Sequence, residues 1–196
     1  ADTVRLLGAY LDDTQPPYVS LPHSYSVTFT ELKNAGVMLT GTEGDDSLSA
    51  PDAYGWVLRG MAGNDALLGN AGDDHLNGGA GSDQLFGGAG NDTFLFGRGS
   101  GQDTVNSFDT SAGKIDIVQF DGSVNPADVQ VSRLGNDLVL SINGTTDALT
   151  ILNYMENEGV TPYSIEEIRF FDGTVWDLEA IKAMLPSNQA PVLVTP

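Results

Sequence analysis

The chain has 196 residues, 27 of them acidic and 8 basic, for a net charge of −19. That surplus of carboxylates disfavours nucleic acid and anionic membrane surfaces as partners and suits cations. Cysteine is absent, which excludes disulfides, thiol catalysis and zinc–thiolate sites, and no apolar run is long enough to form a membrane span.

Residues 1–36 are mixed in character, with an alternation at Tyr25, Val27 and Phe29 that predicts a strand; they form a flanking or capping segment. The start, Ala1 to Gly8, lacks the basic and apolar regions of a signal peptide and an initiating Met, so the chain reads as a piece of a longer protein. Residues 37–103 are glycine-rich and repetitive. Residues 104–185 return to ordinary globular composition. In that zone Asp137–Ile142 and Ala148–Leu152 predict a hairpin around Asn143-Gly144, and Ile168–Phe171 with Thr174–Trp176 predict a second one. Asp177 is placed to cap a helix over Leu178–Leu185, with Pro186 beyond its end. Residues 186–196 read as a linker to a following domain.

The repetitive zone has a nine-residue period. Gly60-Met-Ala-Gly-Asn-Asp65-Ala-Leu67-Leu68 is followed by Gly69-Asn-Ala-Gly-Asp-Asp74-His-Leu76-Asn77. Gly78-Gly-Ala-Gly-Ser-Asp83-Gln-Leu85-Phe86 and Gly87-Gly-Ala-Gly-Asn-Asp92-Thr-Phe94-Leu95 continue the series. Gly41-Thr-Glu-Gly-Asp-Asp46-Ser-Leu48-Ser49 precedes it, separated by a degenerate unit that keeps Leu58 but puts Trp56 where the aspartate belongs.

Each unit predicts a six-residue loop followed by a three-residue strand. Glycines at the first and fourth positions permit backbone geometry that turns carbonyl oxygens toward one point. The sixth position supplies a carboxylate and the eighth an inward apolar side chain. Two units make one turn of a solenoid, so loops one turn apart stack at about 4.8 Å. A cation between stacked loops takes carbonyls and carboxylates from both. Calcium, which accepts six to eight oxygens in flexible geometry, suits this better than magnesium. The register stacks Asp46 on Asp65, Asp65 on Asp83 and Asp83 on Asp103 along one side, and Asp74 on Asp92 along the other; this predicts about four ions.

The pattern resembles the GGxGxDxUx nonapeptide of RTX (repeats-in-toxin) proteins. The resemblance implies a mostly β fold, a right-handed parallel β-roll with a C-terminal β-rich cap and one short terminal helix. It also implies alternating backbone ligands. The even set is Thr42, Gly44, Met61, Gly63, Asn70, Gly72, Gly79, Gly81, Gly88 and Gly90. The odd set is Gly60, Ala62, Asn64, Gly69, Ala71, Asp73, Gly78, Ala80, Ser82, Gly87, Ala89 and Asn91. The stretches GNDLVLSINGTTDALTILNY and IEEIRFFDGTVWDLEAI resemble the domain that follows such repeats in haemolysin-type calcium-binding proteins, which implies that residues 104–185 cap the roll. GKIDIV, residues 113–118, looks like a worn repeat, which raises Asp109 and Asp116 as a further ion site. The tail SNQAPVLVTP resembles the opening of cadherin-like or immunoglobulin-like domains of large bacterial surface proteins.

The expected function is therefore a non-enzymatic structural module. It is monomeric, belongs to a type I-secreted parent, folds on calcium outside the cell or at its surface, and has the parent's neighbouring domains as partners. The alternative is a glycan-binding or adhesive module on the same scaffold, for which Trp176 and Tyr163 could form a sugar platform. Asp45-Asp46 and Asp73-Asp74 resemble catalytic carboxylate pairs, but the repeat already accounts for them.

Overall fold

The computed structural model describes residues 4–6, 37–51, 53–159 and 161–185. The strand expected around Tyr25–Phe29, and the linker at 186–196, lie outside the described residues. Two sheets face each other across one core. The first is eight-stranded and is ordered β1 (Val4–Leu6), β2 (Val37–Thr40), β4 (Val57–Ala62), β6 (His75–Ala80), β8 (Thr93–Phe96), β10 (Ile117–Phe120), β14 (Glu167–Arg169) and β15 (Val175–Trp176). The second is seven-stranded and is ordered β11 (Val129–Leu134), β12 (Asp137–Ile142), β13 (Ala148–Ile151), β9 (Gln102–Asn106), β7 (Gln84–Phe86), β5 (Ala66–Leu68) and β3 (Ser47–Ser49).

From β2 to β10 the chain alternates between the sheets, and neighbours within each sheet are parallel. Val57 pairs with His75, His75 with Thr93, and Ala66 with Gln84. Each step spans two nonapeptides, so this is the expected solenoid. The degenerate unit with Trp56 keeps its place, since β4 pairs in parallel with both β2 and β6. Because strand residues alternate faces, every eighth-position side chain enters the core. Leu58, Leu67, Leu76, Leu85 and Phe94 are fully buried, and Leu48 is half-buried at the end of the series.

The predicted three-residue strands hold for β3, β5 and β7 but not for β4 and β6, which each run for six residues into the following loop. Their loop backbones continue the ladder, with Met61 opposite Gly79 and Ala62 opposite Ala80.

Both sheets pass from the roll into the C-terminal region without a break. β13 pairs in parallel with β9, and β14 pairs in parallel with β10. Backbone that a bare solenoid end would expose is thereby paired. Both expected hairpins form, β12–β13 and β14–β15, each antiparallel. The final helix, α1 (Leu178–Met184), starts at Asp177, whose Oδ1 accepts from the Ala180 N–H at 2.9 Å. It docks through Ile181, which is fully buried. Trp176 packs edge-on against Phe170 at 4.5 Å, inside the core. It therefore forms no surface platform with Tyr163, which instead lies against Phe108 at 5.1 Å.

Candidate metal centre

The loops joining the strands stack along the two long edges of the roll. The register places the sixth-position aspartates in two files. In one, the Asp46 N–H donates to Asp65 Oδ1 (2.8 Å), the Asp65 N–H to Asp83 Oδ1 (2.8 Å), and the Asp83 N–H to Asp103 Oδ1 (3.1 Å). In the other, the Trp56 N–H donates to Asp74 Oδ1 (2.6 Å) and the Asp74 N–H to Asp92 Oδ1 (3.0 Å). The structure thus brings together every aspartate pair read from the sequence. At Trp56 the file lacks a carboxylate, but the backbone rung is kept.

One carboxylate oxygen per aspartate is consumed by this ladder. The other is not: Oδ2 of Asp65, Asp83, Asp92 and Asp103 is buried and accepts no hydrogen bond among the described residues. A buried, unsatisfied carboxylate oxygen is costly. Burial is the largest influence on these groups, and neighbouring aspartate charges push the same way. Asp65 and Asp83 lie above the usual carboxylate range, Asp92 is raised to about 7 and Asp103 to about 8. Asp46 differs. It is half-buried, and its Oδ2 accepts from the Thr42 N–H at 2.5 Å and the Thr42 hydroxyl at 2.8 Å.

Backbone oxygens converge on the same space. A Cβ on Gly41 would stand 2.6 Å from both Asp46 Oδ2 and the Gly60 carbonyl oxygen. On Gly60 it would strike Asp65 Oδ2 and the Gly78 carbonyl, and on Gly69, Asp74 Oδ2 and the Gly87 carbonyl. The first-position glycine therefore keeps clear the gap in which a carboxylate of one turn meets a carbonyl of the next. The carbonyls of Met61 and Gly63 point toward Gly79 and Gly81, and those of Asn70 and Gly72 toward Gly88 and Gly90. Several candidate carbonyls already accept a backbone N–H: Thr42, Gly69, Asn70, Ala80, Gly81 and Ala89. A carbonyl has two lone pairs, so one remains for a metal. Ala62 and Ala71 donate their N–H groups to Thr42 and Gly69 within the same loop stacks.

The fifth-position side chains form an outer ladder that the sequence reading missed. Asp45 Oδ1 accepts from the Asn64 N–H, Asn64 Oδ1 from the Ser82 N–H, and Asp73 Oδ1 from the Asn91 N–H. The enrichment of Asp, Asn and Ser at that position was the available signal.

Asp109 and Asp116 are both buried but occupied. Asp109 accepts from the Ser111 N–H at 2.8 Å and the Gly90 N–H at 3.3 Å, and these bonds outweigh its burial and hold it below the usual carboxylate range. Asp116 Oδ1 accepts from the Asp92 N–H at 2.9 Å, and its Oδ2 from Lys114 Nζ at 2.7 Å.

The donor set fits a hard cation. Among the described residues, no group of three or more His, Asp or Glu side chains gathers at one point. A cation in the files would thus take two carboxylates at most and complete its shell with backbone oxygens. Oxygen-only, carbonyl-rich and flexible coordination matches calcium.

Comparison with known proteins agrees. Residues 59–94 and 69–105 match the RTX calcium-binding nonapeptide repeat family, and residues 137–180 match the haemolysin-type calcium binding protein related domain. The iron-regulated protein FrpA of Neisseria meningitidis serogroup C is 38% identical over 92 residues, which is 47% of this chain and 8% of that protein. The extracellular lipase LipA of Serratia marcescens aligns with 64% of this chain and 20% of its own, at 28% identity and a TM-score of 0.46. The chain therefore spans only a small part of either protein. The matched segments are thus similar to RTX calcium-binding repeats and, within the part that closes the roll, to the haemolysin-type calcium binding protein related domain.

Proposed function

We propose that residues 37–103 bind about four calcium ions between stacked loops, and that calcium binding is what folds them. The ions are assigned to the pairs Asp46–Asp65, Asp65–Asp83, Asp83–Asp103 and Asp74–Asp92, with the alternating carbonyls completing each shell. The observation that carries this reading is the file of buried Oδ2 atoms on Asp65, Asp83 and Asp103 with no hydrogen-bond partner among the described residues. Without a cation they are a liability; with one they become ligands. Metal binding free energy is then folding free energy.

The proposed role is structural, with residues 104–185 as the cap and no catalysis of its own. The protein carries no disulfide to stabilise it outside the cell. Affinities of extracellular calcium modules, about 10⁻⁴ to 10⁻³ M, would leave the roll unfolded in a low-calcium cytosol and fold it after export through a type I channel. Among the described residues no helix is long and apolar enough to cross a membrane. Far-UV circular dichroism tests the reading. Strand signal should grow with calcium at millimolar concentration and not with magnesium; the same signal in EDTA would sink it.

A second reading, a glycan-binding surface on the same scaffold, draws on half-exposed Phe108 beside Tyr163 and the adjoining polar cleft of Asp109, Ser111, Thr161 and Ser164. A glycan array in calcium buffer, with Phe108→Ala as the control, discriminates the two.

A further inference from the structure

The second file of carboxylates does not stop with the nonapeptides. Beyond Asp92 it continues to Asp116, and the Asp116 N–H in turn donates to Glu166 Oε2 at 2.7 Å. The strand register supports the equivalence, since Ile117 pairs with Thr93 on one side and Glu167 on the other. So does the core: Leu76, Phe94, Val118 and Ile168 each lie two residues after an acid of this file, and all are buried. Glu166 is thus the last rung, and it is contributed by the cap.

At Asp116 one thing changes. Its Oδ2, the atom that in Asp65, Asp83, Asp92 and Asp103 has no partner among the described residues, is 2.7 Å from Lys114 Nζ. The same ammonium donates to the Ser164 carbonyl at 2.6 Å and lies 3.4 Å from Glu166 Oε2. The Lys114 side chain is 6% exposed and that of Asp116 0%. The ammonium therefore sits between a carboxylate of one turn and a carbonyl and carboxylate of the next, which is the kind of place assigned to calcium in the loops before it.

We infer that Lys114 is a covalently tethered substitute for a calcium ion: its ammonium fills the cation position between Asp116 and Glu166 and holds the cap on the roll independently of calcium. The inference rests on the reading of the files as calcium sites. An ammonium has three donors and finds three oxygens here. Because it is tethered, dilution or a chelator does not remove it. Deleting one partner of a buried pair leaves the other charge uncompensated, which is strongly destabilising unless another cation enters. The cap edge at β10 and β14 then stays formed at low calcium, a template on which successive turns add as calcium arrives.

The test uses the full chain with Lys114→Ala. Bound calcium at saturation, counted by native mass spectrometry, should rise by one ion relative to the wild type. Amide protection of residues 117–119 and 167–169 should resist EDTA in the wild type and become calcium-dependent in the variant. An unchanged count together with EDTA-resistant protection in the variant overturns the inference. Anomalous diffraction from wild-type crystals in calcium decides the matter even if the variant does not fold: no peak is expected between Asp116 and Glu166, and a peak there overturns it. A wild type that binds no calcium at all would instead refute the proposed function.

Discussion

The roll and the cap are built on the same two sheets but draw on different sources of stability. In the roll each nonapeptide sends one large side chain inward, from Leu58 through Leu67, Leu76 and Leu85 to Phe94, and every unit but that of Trp56 buries one carboxylate with it. In the cap β12 alone buries Leu138, Leu140 and Ile142, β13 adds Leu149 and Ile151, and Tyr154, Phe170, Trp176 and Ile181 close over them. The acids of the cap side are satisfied: Asp147 accepts from the Gly99 and Gly101 N–H groups, and Glu166 from the Asp116 N–H and the Ser164 hydroxyl. In the roll, Oδ2 of Asp65, Asp83, Asp92 and Asp103 accepts no hydrogen bond among the described residues. Similar backbone architecture thus gives an ordinary hydrophobic core at one end and, on the proposed reading, a cation-dependent fold at the other.

The largest expected effect separates these two modes directly. Asp83 belongs to two stacked pairs, so Asp83→Ala should lose two ions and raise the calcium midpoint of folding at least about tenfold, or about 1.4 kcal/mol. Leu140→Ala in the cap should cost about 2–5 kcal/mol in urea unfolding while moving the calcium midpoint little. If both variants shift the midpoint alike, the distinction between the regions fails. Glycines give the next contrast. A Cβ on Gly81 would strike the Gly63 carbonyl at a φ of +152°, whereas Gly144, at +80°, has nothing within 4 Å. Gly144→Ala should cost about 1–2 kcal/mol for its backbone alone, and Gly81→Ala clearly more in thermal unfolding with calcium.

Acidity offers a third contrast. In the calcium-free roll, burial holds Asp92 at about 7 and Asp103 at about 8, well above their unfolded value. Their protonated forms favour the fold, a contribution fully present below the unfolded carboxylate range and lost as pH rises through about 7 to 8. Melting in EDTA should therefore fall from acid to neutral pH, while calcium affinity rises, because only the ionised carboxylate binds metal. A parallel pH trend with and without calcium would contradict this. Smaller still is Met61, a non-glycine residue at φ 89° where Gly79 and Gly88 hold +99° and +97°. Met61→Gly should stabilise by about 1 kcal/mol, the relieved strain exceeding the added chain entropy. Smallest, Asp177→Ala removes the helix cap and should cost about 1 kcal/mol in the cap's denaturant midpoint, with calcium binding unchanged.

The nine-residue period made the roll legible because a single rule, an acid followed two residues later by an apolar side chain, fixes both the loop and the strand. The same rule holds in worn form at Asp103–Val105, Asp116–Val118, Asp147–Leu149 and Glu166–Ile168. At Asp147 and Glu166 no glycine stands at the first or fourth position, so these terminal acids do not stand out in the sequence. The role of Lys114 was hidden for another reason: a lysine at a worn fourth position has no repeat precedent, and its partners Ser164 and Glu166 are some fifty residues away. The cap hairpins were readable from Asn143-Gly144 and Asp172-Gly173. Their edge-to-edge union with β9 and β10 was not, because parallel pairing between distant segments leaves no local mark.

The central claim is that calcium folds the roll and not the cap. Amide hydrogen exchange of the full chain, in millimolar calcium and in EDTA, tests it most directly. Residues 66–68 and 84–86 of the roll should lose their protection in EDTA, while residues 138–142 and 148–151 of the cap keep theirs. Equal protection of the roll in EDTA would contradict the account.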